Sequence, residues 1–150
     1  MPEFVIVERR DRWATAWRLL AERLDSPLVE GAMVAVRSPH EARDLLDSLN
    51  LAEQGGLVLA VELTAPMCDA ALELLALALR KGPRVASVVL AESAWADYEW
   101  LVRELGAIEL VTGTRGLARA VEAARRHARR WPPAAASPRA AVWARLPWGG

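Results

Sequence analysis

Five short apolar runs recur along this chain, and each is followed by a stretch of helical periodicity. That alternation constrains the fold more than any other feature. The runs are Phe4–Val7, Ala32–Val36, Leu57–Val61, Val85–Leu90 and Ile108–Val111. Each is rich in branched aliphatic residues and too short for a core helix, so each reads as a strand. Leu57–Val61 is apolar throughout, as a strand covered on both faces must be.

Between the runs lie helix signals. Asp11 stands where a carboxylate accepts from the free amides of a first turn, and Trp13, Trp17, Leu20 and Leu24 then recur on one face. Asp25-Ser26-Pro27 ends that helix. Ser38-Pro39-His40-Glu41 combines a capping serine, a proline at the first helical position and the glutamate of a capping box. Leu45, Leu46 and Leu49 give that helix its core side, and Gln54-Gly55-Gly56 turns the chain. Asp69 to Arg80 is the third helix, ended by Gly82-Pro83. Ser93 caps a fourth, with Trp95, Tyr98, Leu101, Val102 and Leu105 along one face and Gly106 at its end. Gly116 to Arg130 is the fifth, with Leu117, Ala120, Val121 and Ala124 inward. Strands alternating with helices through short connections imply a parallel sheet covered on both sides, and right-handed crossovers favour the doubly wound order 2-1-3-4-5. The expected fold class is therefore an α/β, flavodoxin-like three-layer sandwich. Residues 1–131 form the domain, and 132–150 form a Pro/Ala-rich tail.

Composition narrows the function. The chain has 150 residues, 53% of them hydrophobic, which supports one well-filled core. Its formal net charge is zero, so no global field draws it to nucleic acid or to a membrane surface. The N-terminus reaches charge after a short apolar run, unlike a signal peptide or a membrane span. Cys68 is the only cysteine, which precludes an internal disulfide and fits a reducing, cytoplasmic setting. His40 and His127 lie far apart with no ligand spacing around them, so neither a metal site nor histidine catalysis is expected. No phosphate-binding loop or nucleophile elbow is present, and no cofactor is implied.

Four stretches carry a resemblance: FVIVERR, LVLAVELTAP, SVVLAES and GAIELVTGTRG. In order and spacing they resemble the receiver domain of response regulators, over roughly residues 3 to 130. The resemblance implies an acidic, magnesium-holding pair after the first strand, a phosphoacceptor aspartate after the third, a hydroxyl after the fourth and a lysine after the fifth. The pair falls on Glu8 and Arg9. The phosphoacceptor falls on Glu62, four residues before Pro66. The hydroxyl position falls on Ala91, with Ser93 two residues later, and the lysine position on Gly113. Only acidic character at two places survives. Phosphoryl transfer needs charge neutralisation around the equatorial oxygens, chiefly by a divalent ion and a cation. Arg9 instead puts a fixed positive charge where a metal ligand belongs, and Glu62 reaches one methylene too far. An Arg9 guanidinium gripping Glu62 or Glu8 is one expected arrangement; loose, solvated charges are the other.

The remaining features concern contacts. Leu72, Leu74, Leu75, Leu77 and Leu79 cannot share one helical face, so the third helix should be covered by a second subunit or by the tail. Trp95 and Trp100 sit five apart, so only one can face the core, and Trp100 becomes a candidate contact residue on the side that receivers use for output. Trp143, Leu146 and Trp148 in the tail have the character of anchors, for the domain itself or for a partner. The Arg125–Arg130 cluster is suited to a helix C-terminus and needs no nucleic acid to explain it. The expectation is a non-enzymatic pseudo-receiver that binds a protein partner, or itself, without phosphorylation. An atypical receiver still taking phosphoryl, an anion or a divalent ion near Glu8, Glu62 and Gly113 is the alternative. A homo-oligomeric scaffold subunit is a third.

Overall fold

The computed structural model describes residues 3–23 and 33–132. Five parallel strands form one sheet in the order β2-β1-β3-β4-β5, as the alternation predicts. The strands are β1 (Phe4–Val7), β2 (Met33–Val36), β3 (Leu57–Leu63), β4 (Val85–Ala91) and β5 (Ala107–Thr112). The helices are α1 (Arg12–Arg23), α2 (Pro39–Ser48), the single turn α3 (Leu51–Gln54), α4 (Cys68–Arg80), α5 (Glu99–Glu104) and α6 (Leu117–Arg130).

Period-two alternation divides the core. Phe4, Ile6, Val58, Ala60, Val88 and Leu90 face α1 and α6, where Trp13, Trp17, Leu117, Ala120, Val121 and Ala124 close the layer. Phe4 stacks on Trp17 with ring centroids 4.5 Å apart. Val5, Val7, Leu57, Leu59, Val61 and Val89 face α2, α4 and α5. Of the periodic residues predicted for the first helix, Trp13 and Trp17 are buried and Leu20 is half-buried; Leu24 lies outside the described residues.

Three local expectations are corrected. Asp11 does not cap α1 with its carboxylate, which accepts instead from Arg37 at 3.0 Å. The capping acceptor is Glu8, described below. Ser93 does not begin an α-helix: Ser93–Tyr98 is a 3-10 segment preceded by Glu92, and α-geometry starts only at Glu99. The tighter turn shifts the register of the side chains, so Val102 is buried while Tyr98 turns outward. Finally, the leucine-rich helix is covered largely from within. Ala71, Leu74, Leu75 and Ala78 are buried, Leu72 and Leu77 pack against the same core, and α2 lies alongside; Leu79 alone of the five leucines stays more than half exposed. The second helix starts as predicted, with the Ser38 hydroxyl accepting from Glu41 N at 3.2 Å.

Candidate functional site

Strand register decides which residues meet. Val7 pairs with Val61, so Glu8, one residue past β1, and Glu62, near the end of β3, stand at the same level. Ala91 pairs with Leu63 and with Thr112, which puts Gly113 one residue beyond on β5. The sequence-predicted set therefore converges on the C-terminal edge of the sheet. The crossover order reverses there between β1 and β3, and crevices in doubly wound folds open at such a point.

Glu8 is completely buried. Its two carboxylate oxygens accept from the backbone N–H groups of Trp13 at 2.9 Å and Ala14 at 2.8 Å. These are first-turn amides of α1, which have no partner within their own helix. Burial pushes the Glu8 carboxyl above its ordinary range, opposed by the two amide hydrogen bonds and reinforced by the charge on Glu62. The carboxylate is thus a structural cap held under the cleft.

The wall of the cleft is built from three chain segments. The β1–α1 loop supplies Arg9 and Arg10, the start of α1 supplies Arg12, the end of β3 supplies Glu62 and Thr64, and the end of β4 supplies Glu92. Together they enclose about 400 Å³. Arg12 donates to Glu92 across the cleft and lies over the Trp13 ring, 5.0 Å from its centroid. Arg37 holds Asp11, so that carboxyl sits below its ordinary range, and it also donates to the Arg9 carbonyl at 3.4 Å. Among the described residues no ion pair joins Arg9 to Glu62 or to Glu8, so the guanidinium clamp expected from the sequence does not form. Ala91 is buried and brings no hydroxyl. Gly113 has φ +112, a conformation that favours glycine and strains any lysine placed there.

Of the residues lining the cleft, the sequence reading named Arg9 and Glu62 but not Arg10, Arg12, Thr64 and Glu92. The run Arg9-Arg10-Asp11-Arg12 directly after a strand was the available signal. Of the contact candidates, Trp100 is 68% exposed, whereas Trp95 is half-buried against the core with its ring 5.2 Å from Tyr98. Trp143, Leu146 and Trp148 lie outside the described residues. Among the described residues no cluster of His, Cys, Asp or Glu is suited to a metal ion, and no helix is long and apolar enough to cross a membrane.

No family profile matches the chain, and no curated protein does. Solved structures do. A response regulator receiver domain from Rhodospirillum rubrum superposes with a TM-score of 0.62 at 18% identity, covering 87% of this chain and 96% of that one. A receiver domain protein from Clostridium thermocellum gives 0.58 at 16% identity, covering 87% and 98%. The phosphorylated cyanobacterial phytochrome response regulator RcpA gives 0.52 at 22% identity, covering 87% and 94%.

Proposed function

The chain has the receiver fold, and from it we propose a phosphorylation-independent protein-interaction module of signal transduction. The observation that carries this reading is the state of Glu8. At the position where the resemblance implies a magnesium ligand, both carboxylate oxygens are engaged by Trp13 and Ala14 amides inside the protein. Releasing either oxygen to a metal uncaps α1 and leaves a buried N–H without a partner, at a cost of about 1–3 kcal/mol. Arg9 supplies a cation where the second acidic ligand belongs, so the residues present do not fit a divalent ion. The positions matching a hydroxyl and a lysine are Ala91 and Gly113, neither of which can bind a phosphoryl oxygen through its side chain. With the switch chemistry missing, signalling falls to surface recognition. Trp100 and Tyr98 on the 93–100 segment, 68% and 46% exposed, are the aromatic contact surface.

The test is thermal unfolding of the full chain with millimolar magnesium, with and without beryllofluoride as a phosphoryl mimic. A ligand at a hundred times its Kd raises stability by about 2.7 kcal/mol, which a melting curve resolves easily. The expected result is no magnesium-dependent shift under either condition. A saturable shift that Glu62→Ala abolishes overturns the proposal.

A further inference from the structure

We infer that the cleft at the β1/β3 switch point binds a small molecule through a phosphate group, held by Arg9 and Arg10 without a metal ion. The inference rests on the reading above that this cleft does not take a divalent cation. Its location is the first argument: ligand crevices of doubly wound sheets lie outside the carboxyl ends of the strands, where the strand order reverses. The cleft straddles that point and its volume of about 400 Å³ falls in the ordinary range of about 300–1,000 Å³ for small-molecule sites.

Charge is the second argument. Three arginines line the cleft within four consecutive residues. Arg12 is satisfied by Glu92, which also removes the Glu92 carboxylate as a repulsive neighbour. Glu8 beneath is completely buried, with both oxygens turned to backbone donors of α1 and not lining the cleft. Arg9 and Arg10 are exposed, and among the described residues neither has a carboxylate partner. Two adjacent guanidinium groups present forked donors that match the oxygens of one phosphate, and a dianion answers both where a single carboxylate answers one.

The third argument is Thr64. It lines the same cleft, and its buried hydroxyl oxygen has no hydrogen-bond partner among the described residues. A threonine hydroxyl both donates and accepts, so a small rotation offers a phosphate oxygen a donor from the β3 side. The half-buried Glu62 carboxylate orients the ligand: its anionic end must lie toward Arg9 and Arg10, and its remainder toward Glu62.

The experiment is calorimetric titration of the full chain with inorganic phosphate and with pyrophosphate, in EDTA at fixed ionic strength. Saturable one-to-one binding is expected, tighter for pyrophosphate and weakening as salt rises. Arg9→Glu and Arg10→Glu should each weaken it at least tenfold, while Arg18→Glu on the exposed face of α1 should not. Both cleft arginines are exposed, so unchanged melting temperatures will confirm that the variants fold. No binding of either anion, or binding that survives both substitutions, overturns the inference and leaves the interaction-module reading standing. In a second titration with magnesium in place of EDTA, binding that appears only there and vanishes in Glu62→Ala overturns both.

Discussion

The two edges of the sheet are built by different means. At the N-terminal edge, backbone locks onto backbone: Gly56 N–H donates to the Trp131 carbonyl at 2.8 Å and Leu57 N–H to the Arg84 carbonyl at 2.8 Å. The Nε2–H of His127 donates to the same Arg84 carbonyl at 2.7 Å, and the Arg84 guanidinium lies 4.9 Å from the centre of the Trp131 ring. These contacts join the end of α6 to the starts of β3 and β4. At the C-terminal edge, Glu8 is the buried side chain tied in that way among the described residues. Several of the edge's other polar groups, Arg9, Arg10, Arg12 and Glu92, are exposed side chains on loops or at the start of α1. Exposed ion pairs contribute little to stability, typically about 0–1 kcal/mol. The lower edge therefore holds the domain closed, while the upper edge can change its side chains at little cost to the fold.

The largest effect that tests this division is at Gly56. A Cβ built there sits 2.9 Å from Trp131 Cβ, closer than Cβ atoms approach in folded proteins, and 3.1 Å from His127 Nε2, which is tighter than most such contacts. Gly56→Leu must push the end of α6 off the sheet. Overpacking of this kind costs about 1–3 kcal/mol, and the lost hydrogen bonds at the same point add to it. A fall in melting temperature on the order of 10 °C is expected. A fall no larger than that of Arg10→Leu, measured by the same thermal melt, would erase the contrast between the two edges.

Next in size is Glu8, the buried, tied side chain at the upper edge. Glu8→Ala strips two amides of their acceptor and should cost about 1–3 kcal/mol, read as a fall of several degrees in the melt. Glu8→Gln sharpens the point. Its amide oxygen can still accept from one N–H, but its amino group faces the other donor, so it should recover only part of the loss. A Glu8→Ala protein as stable as the wild type would mean the carboxylate is free for other work, and the case against a metal at this edge would fall with it.

The sequence made the lower layers of this organisation readable and the upper edge only partly so. Strand order, the buried faces of α1 and α6 and the Ser38 cap all follow from local periodicity and from residues within one turn of each other. The misreadings occur where tertiary reach wins. Asp11 satisfies every local rule for a cap, yet Glu8 lies on the end of a strand and reaches the same amides five and six residues ahead. Ser93 looks like a helix start, but the chain must first turn tightly off β4 before α-geometry begins at Glu99. His127 drew no structural role from the sequence because its partner, the Arg84 carbonyl, is 43 residues away.

That histidine offers the finest test. Burial lowers its pKa below the usual 6.5, and the positive charge of Arg130 pushes the same way, against the Arg84 carbonyl. The folded protein therefore binds this proton less readily than the unfolded chain does. Stability is at its full value above about pH 6.5 and is lost as the pH falls toward the lowered folded pKa. Glu8 acts in the opposite sense, because its raised folded pKa adds stability as the pH falls through its own range. Comparing wild type with His127→Gln cancels that contribution, since Glu8 is present in both. The Gln amide N–H can still donate to the Arg84 carbonyl but cannot titrate. Melting temperatures from pH 7.5 to 5.5 should fall in the wild type and fall less in His127→Gln. Parallel curves would mean that the lower edge carries its imidazole without desolvating it.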